Sequence, residues 1–161
     1  MKKKVHRAID ANFNRVKEGL RVCEDFTRFF LEDTHLTEKF KKMRADVGKL
    51  YEGIPRLKSE LMKARDAITD VGKKLLPAQK RKDFEDLFWA NVQRSKEALR
   101  TLEEFSALVK EDFSEEFKQL RFSLYDLEKK TFKKLQAVPR SKRPKKKTAA
   151  KKRRKKASSR S

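Results

Sequence analysis

The sequence is poor in residues that interrupt helices and in residues that carry redox chemistry. Its 161 residues include four glycines, four prolines and one cysteine, Cys23. The scarcity of Gly and Pro, with no run of alternating β-branched residues, favours an all-α protein. A lone cysteine excludes an internal disulfide. Since Cys23 falls on an apolar helical stripe, we expect it to be a small core residue. The lack of a possible internal disulfide fits a protein of the reducing cytoplasm.

Long apolar runs and the common catalytic motifs are also missing. No stretch approaches the roughly 18 apolar residues of a membrane span, and the basic N-terminus lacks the apolar segment of a signal peptide. We therefore expect no membrane contact and a cytoplasmic location. The glycine-rich phosphate loops, zinc-ligand spacings and nucleophile elbow of familiar enzyme classes are absent. Standard nucleotide-binding and hydrolase classes thus have no support from motifs.

The excess of positive charge is confined to one end of the chain. The net charge is +21, but residues 138–161 contain 13 Lys and Arg and no acidic residue. That leaves 32 basic and 24 acidic residues, a net charge of +8, in residues 1–137. We predict a folded domain at 1–137 and a disordered tail at 138–161. Such a tail either binds nucleic acid through counterion release or is a solubilising extension.

One polar pattern occurs twice, 79 positions apart. Residues 10–26 read DANFNRVKEGLRVCEDF and residues 89–105 read WANVQRSKEALRTLEEF, which share A-N-x-x-R-x-K-E-x-L-R-x-x-E-x-F. A second similarity links TEKFKKMR at 37–44 with SEEFKQLR at 114–121. Packing alone does not demand repeated Asn, Arg and Glu, so we interpret the pattern as a duplicated helical hairpin. It predicts a helical bundle built from two related halves.

Apolar residues at helical spacing predict where the helices lie. Such stripes run over about 8–31, from Thr34 to Gly53, over 83–110 and over 114–136. Thr34 is the predicted N-cap of the second helix. The segment 56–82 between the two halves is predicted to hold a short helix and a loop.

Two polar rows interrupt the apolar faces of the long helices. In each row an asparagine and an arginine fall inside the apolar arc, and a glutamate follows three residues later. The six residues are Asn12, Arg15, Glu18, Asn91, Arg94 and Glu97. A guanidinium facing a core is costly unless it is paired or meets an anion. We therefore expect the rows to converge on a partly buried cleft whose arginines bind phosphate. The alternative is an Arg–Glu pair along each helix, with the asparagines capping a neighbouring segment.

The loop between the halves offers carboxylates. Residues 64–72 read ARDAITDVG, in which Asp66 and Asp70 lie four apart beside Arg65. These residue types suit phosphate with Mg²⁺. In the alternative interpretation Asp70 caps a turn and Gly72 ends a helix.

Four motifs together resemble one family. They are D-A-N-x-N-R-x-x-E-G-L-R-V-x-E-D-x-x-R-F at 10–29, A-R-D-x-x-x-D-V-G at 64–72, A-N-x-x-R-x-x-E-A-L-R-x-L-E-E-F at 90–105 and L-R-x-x-x-Y-x-L-E at 120–128. In this order they resemble the small all-helical domain of thiamine biosynthesis that is often fused ahead of thiamine-phosphate synthase. The resemblance covers about residues 5–135. It implies a monofunctional hydroxymethylpyrimidine-phosphate kinase, which uses ATP to make the pyrimidine diphosphate from the monophosphate.

The resemblance also implies roles for the residues singled out above. The two polar rows would hold the phosphate and the pyrimidine of the substrate. Arg65, with Arg21 and Arg100, would bind ATP, and Asp66 or Asp70 would bind Mg²⁺ or take the proton of the hydroxyl group. Thiamine-phosphate synthase is the expected protein partner.

Two departures from the family pattern stand out. Lys73 follows D-V-G, where the family usually has Thr. The synthase barrel is absent, so we do not expect this chain to join pyrimidine to thiazole by itself. Because the family does not account for the basic tail, the alternative hypothesis is a non-enzymatic helical protein that binds nucleic acid through that tail.

Overall fold

The computed structural model describes residues 2–53, 57–65, 80–109 and 111–139. Within these ranges every regular element is a helix: α1 (Lys2–Phe29), α2 (Thr34–Gly53), α3 (Leu57–Ala64), α4 (Phe84–Ala107) and α5 (Glu111–Ala137). The predicted all-α helical bundle is therefore confirmed for this part of the chain. Among the described residues no helix is both long and apolar enough to cross a membrane. Residues 140–161, which make up most of the predicted disordered tail, lie outside these ranges.

The start of α2 differs from the prediction by one residue. Thr34 was the predicted N-cap, but the side chain of Asp33 accepts a hydrogen bond from the Leu36 backbone N–H at 2.9 Å. An N-cap carboxylate of this kind satisfies a backbone donor that has no partner within the helix. The preceding residue, Glu32, has a φ of 49°, which turns the chain sharply between α1 and α2. This hydrogen bond, together with Lys134 on α5, holds the pKa of Asp33 below its ordinary value.

The core lies around α1, which packs against α2, α3 and α4. α1 and α4 run antiparallel, since the Phe30 ring contacts Phe84 and the Phe26 ring contacts Phe88 at 4.1 and 4.7 Å between centroids. Cys23 is fully buried in this core, as predicted. Burial raises the pKa of its thiol far above the ordinary value, so the residue is a small apolar packing group here.

The closest approach of α1 to α4 depends on a glycine. A Cβ at Gly19 would overlap the Ser95 hydroxyl and lie 2.9 Å from the Asn91 carbonyl oxygen. The Ser95 hydroxyl is fixed, because it donates a hydrogen bond to that same carbonyl at 2.8 Å. Only a residue without a side chain allows the two helices to pack at this distance.

Each half of the sequence repeat carries the same ion pair between a buried glutamate and a partly buried arginine. Arg44 on α2 donates to Glu24 on α1 at 2.9 Å, and Arg121 on α5 donates to Glu103 on α4 at 3.0 Å. Glu103 lies 79 residues after Glu24, and Arg121 lies 77 after Arg44, which are the two offsets of the sequence repeat. The duplication of whole hairpins stays a prediction. The repeated glutamates and arginines nevertheless form corresponding contacts in the two halves.

Candidate functional site

A two-point ion pair joins the first two of the four sequence motifs. Arg65, which follows α3, donates from Nε to Oδ2 of Asp10 and from Nη2 to Oδ1, both at 2.7 Å. The Asp10 side chain is 8% exposed and that of Arg65 is 43% exposed. Parallel hydrogen bonds of this kind fix the plane of the guanidinium group. They use two of its three nitrogens, so Nη1 keeps donors for a ligand.

The surroundings of this pair are aromatic on one side. The Tyr51 ring packs edge-on against Phe13 at 4.9 Å between centroids. Burial, and next the negative charge of Asp10, raise the pKa of the Tyr51 hydroxyl. The hydrogen bonds that Arg65 donates to Asp10 likewise raise the pKa of Arg65. Arg65 was a predicted site residue, whereas Asp10 was missed. The signal that could have found Asp10 is its place as the first residue of the first motif.

In the first polar row, the asparagine and the arginine are joined by a hydrogen bond. Asn12 is buried and donates to the Ala8 carbonyl at 2.8 Å, while its own side-chain oxygen accepts from Nη1 of Arg15 at 3.1 Å. Arg15 and Glu18 are exposed. The asparagine therefore links its helix backbone to the arginine, and the remaining guanidinium nitrogens of Arg15 are open to solvent.

The second row has the same buried asparagine and the same exposed ends. Asn91 donates to the Leu87 carbonyl at 2.7 Å, in the manner of Asn12 79 residues earlier. Glu97 accepts from Gln93 at 2.8 Å. Arg94 is exposed and makes no hydrogen bond or ion pair within the part of the chain that the structure describes.

The rows therefore differ from the buried cleft that was expected. Both arginines are exposed, because their long side chains carry the charged groups past the apolar arc to solvent. The alternative Arg–Glu pairs do not form either, since in the described ranges neither arginine contacts the glutamate three residues later. The two rows do lie on α1 and α4, which pack directly against each other. Their assignment as ligand-binding residues stays a prediction.

The other predicted residues are placed as follows. Arg21 lies 3.3 Å from Asp25 and 3.6 Å from Glu24, so its charge is matched within α1. Arg100 is likewise paired within α4, with Glu103 at 2.5 Å and with Glu104. The catalytic and metal-binding candidates Asp66 and Asp70 lie outside the described residues. In the described ranges no group of three or more His, Cys, Asp or Glu side chains could hold a metal ion.

A polar network that sequence reasoning missed joins the third and fourth motifs. Lys96 on α4 donates to both carboxylate oxygens of Glu128 on α5, at 2.8 and 2.9 Å. Arg121 on α5 contacts Glu103 through Nε at 3.0 Å and through Nη2 at 2.9 Å. Its Nη1 donates to the Tyr125 hydroxyl at 3.0 Å. The arginine and the glutamate of the fourth motif thus hold α5 against the helix that carries the second row, and the tyrosine orients the arginine within α5.

A groove of about 640 Å³ lies away from all of these residues. It runs between α2 and α5, and its lining includes Lys42, Asp46, Lys118 and Asp126. None of the predicted site residues lines it.

The fold and its joined polar motifs define a small all-α domain, distinct from the P-loop and Rossmann architectures. Residues 7–130 match the model of the ThiD2 family, and the chain belongs to that family. The chain is similar to proteins named thiamine-phosphate synthase from three organisms. They come from Synechocystis sp. (40% identity over 126 residues, 77% of this chain and 35% of that protein), Parasynechococcus marenigrum (41% over 127, 78% and 35%) and Thermosynechococcus vestitus (36% over 137, 83% and 37%). The chain spans about a third of the length of the curated relatives it matches. No solved structure matches it.

These comparisons correct the function expected from the sequence. The relatives bear the name of thiamine-phosphate synthase and not that of hydroxymethylpyrimidine-phosphate kinase. The predicted kinase activity is therefore wrong, and ATP is not supported as a cofactor. The resemblance to a thiamine-biosynthesis domain is supported, but membership of a monofunctional kinase family is not. The nucleic-acid-binding alternative gains no support either, because the family match covers the helices and stops before the tail.

Proposed function

We propose that this chain binds a small phosphorylated pyrimidine in thiamine biosynthesis and serves the transferase for which its relatives are named. The ThiD2 family match and the names of the relatives support the pathway. The observation that carries the binding proposal is the Asp10–Arg65 pair. It links two motifs that lie 55 residues apart in the chain and leaves an arginine oriented at the surface.

An arginine held in one plane is a good phosphate ligand. Its planar donors match two phosphate oxygens at once, which an ammonium group cannot do. Because Asp10 already fixes the guanidinium, a ligand binding to Nη1 does not have to order a free side chain. Avoiding that loss of freedom is worth roughly 0.5–1.5 kcal/mol per side chain.

The two polar rows are proposed as the rest of the ligand-binding surface. In each row the buried asparagine bonds to its own helix and the arginine extends to solvent. Arg94 is the strongest candidate because its charge has no partner in the described ranges. Glu18 and Glu97 would accept hydrogen bonds from the amino group of a pyrimidine. Arg21 and Arg100 are weaker candidates, since carboxylates of their own helices already occupy them.

A metal ion enters this proposal only together with the phosphate. The carboxylates that would hold Mg²⁺ are Asp66 and Asp70, which lie outside the described residues, and the described ones form no metal-binding cluster. The cytoplasmic location expected from the lone cysteine belongs to the same proposal.

Calorimetric titration of the full chain tests the proposal. Hydroxymethylpyrimidine monophosphate should bind at least about 10-fold more tightly than the unphosphorylated alcohol, a difference of about 1.4 kcal/mol. Arg15→Ala and Arg94→Ala should each remove most of that difference. Lys133→Ala, which removes an exposed cation of α5 outside every motif, should leave it unchanged. Equal affinity for the two compounds, or equal losses in all three variants, would refute specific phosphate recognition.

A further inference from the structure

A connected series of aromatic rings crosses one end of the bundle, and the rings at each end of the series are exposed. Neighbouring centroids in the series are 4.1 to 6.1 Å apart. In order the rings belong to Phe84, Phe30, Phe26, Phe88, Trp89 and Phe132. Phe26 and Phe88 are buried and Trp89 is partly buried, whereas Phe30, Phe84 and Phe132 are 41%, 38% and 47% exposed. We call these three exposed rings the aromatic end.

The aromatic end lies where three helices begin or finish. α1 ends at Phe29, α4 begins at Phe84 and α5 ends at Ala137. An ion pair of 3.0 Å between Lys134 and Asp33 places the last turn of α5 beside the start of α2. A groove of about 460 Å³ follows the side chains of Trp89 and Phe132 to Val138 and Pro139. Val138 and Pro139 therefore lie next to these rings.

Such a surface has the composition of a protein interface. Single exposed apolar residues are ordinary, whereas several exposed aromatic residues grouped at one end of a domain indicate a contact site. Aromatic anchors at the centre with a polar rim are typical of protein–protein interfaces. Here the rim includes Glu85 and Gln136 beside the groove and Lys134 beyond it.

The lengths of the relatives indicate which protein covers this surface. The matched segment makes up only 34–37% of the thiamine-phosphate synthases from Synechocystis sp., Nostoc punctiforme and Thermosynechococcus vestitus. In those proteins a ThiD2-type bundle thus shares its polypeptide with a part about twice its size, which the matched segment does not include. A second part of the same polypeptide can pack against the bundle, and the aromatic end has the composition that such contacts use.

We propose that the aromatic end is the docking surface for thiamine-phosphate synthase. The inference rests on the proposed role in thiamine biosynthesis, but it concerns a surface separate from the ligand-binding residues. Docking here leaves the Asp10–Arg65 pair uncovered, because that pair lies near α3 and the end of α2. The synthase and the small ligand can therefore be held at the same time.

The test measures binding of the full chain to a stand-alone thiamine-phosphate synthase that carries no ThiD2-type segment of its own. Biolayer interferometry and sedimentation velocity in 0.5 M NaCl suppress attraction by the basic tail, while apolar contacts persist. Phe84→Ser and Phe132→Ser should each weaken binding at least 10-fold. The matched control is Phe122→Ser, which removes a 55% exposed ring of α5 outside the aromatic end and should change binding less than twofold. Circular dichroism melting of each variant confirms that the bundle is folded.

Three results would overturn the proposal. The first is no binding of the wild-type chain in 0.5 M NaCl, and the second is an equal loss in the Phe122→Ser control. The third is self-association of the chain that the aromatic variants abolish, which would assign the surface to a second copy. Titration of the same variants with the pyrimidine monophosphate separates this proposal from the previous one. We expect unchanged ligand affinity in Phe84→Ser and Phe132→Ser even if the docking proposal fails.

Discussion

Asp10 and Arg65 meet through two hydrogen bonds of 2.7 Å, although 55 residues separate them in the chain. The contact fastens Arg65, the residue directly after α3, to the buried face of α1. It also places one side chain from each of the first two sequence motifs in a single unit.

Replacing Asp10 with Asn tests whether the orientation of Arg65, in addition to its charge, contributes to ligand affinity. The arginine keeps its charge but loses the two-point partner, so we expect affinity for the pyrimidine monophosphate to fall about 10-fold, about 1.4 kcal/mol. Stability should fall by only about 1 kcal/mol, because Arg65 is partly exposed and solvent screens the pair. Calorimetry and urea unfolding measure the two effects. The control is Asp126→Asn, which disrupts an exposed pair with Lys130. A similar loss of affinity in that control would contradict the positioning role.

Because α1 and α4 pack closely at Gly19, adding one methyl group there should lower the stability of the bundle. Gly19→Ala should destabilise the bundle by about 1–3 kcal/mol, because the new Cβ overlaps the fixed Ser95 hydroxyl and the helices must separate. Gly48→Ala is the matched control, since a Cβ there meets nothing within 4 Å. That control should be neutral or stabilising by up to about 1 kcal/mol, through helix propensity alone. Urea unfolding of both variants checks the contrast, and equal effects would contradict the close packing of the two helices at Gly19.

The buried ion pair of the second half should contribute to stability through its desolvated partners. Glu103→Ala leaves Arg121 without its carboxylate, so we expect a loss of about 3 kcal/mol, as for other buried pairs that lose one member. Glu104→Ala removes the adjacent exposed carboxylate and should cost less than about 1 kcal/mol. A double-mutant cycle with Arg121→Met measures the coupling. A coupling energy near zero would show that the pair does not act as a unit.

The cap at the start of α2 predicts a dependence on pH. The pKa of Asp33 is lowered in the folded chain, first by the hydrogen bond from the Leu36 N–H. Its contribution to stability is therefore complete above the ordinary value of 3.8 and is lost as the pH falls through the lowered value. Asp33→Ala should cost about 1 kcal/mol at pH 7. Urea unfolding at pH 7 and near pH 2.5 should show the gap between wild type and variant narrowing in acid. A constant gap would contradict the assignment of the cap.

The sequence alone predicted the helices well because their signals are local. Apolar spacing located α1, α2, α4 and α5, although α1 begins at Lys2 and not near residue 8. The scarcity of Gly and Pro, with no run of alternating β-branched residues, favoured helices over a sheet. The burial of Asn12 and Asn91 also followed from their places on the apolar arcs. Arg15 and Arg94 occupy the same arcs yet are exposed, because helical spacing fixes only the direction of Cβ. Where a long flexible side chain ends depends on the neighbouring helix.

Contacts between distant segments could not be predicted from the spacing of apolar residues along the chain. The partners of Asp10, Glu103 and Lys96 lie on other helices, so only the packing of the bundle brings them together. The repeat offsets carried a partial signal for the Glu–Arg pairs, since both members recur. The functional prediction failed at another step, where the activity implied by the resemblance was carried to a chain whose relatives bear a different enzyme's name.

The most direct measurement compares the wild-type chain with Arg65→Lys. For each chain it determines how much more tightly hydroxymethylpyrimidine binds when it carries a phosphate. Lysine keeps the positive charge but cannot reproduce the two-point contact with Asp10 and present a planar donor at the same time. We expect the wild-type chain to show a gain of at least about 10-fold, and Arg65→Lys to lose most of it while melting at nearly the same temperature. A wild-type chain that binds the phosphorylated and unphosphorylated compounds equally would contradict the proposed function, and an undiminished gain in Arg65→Lys would contradict the site.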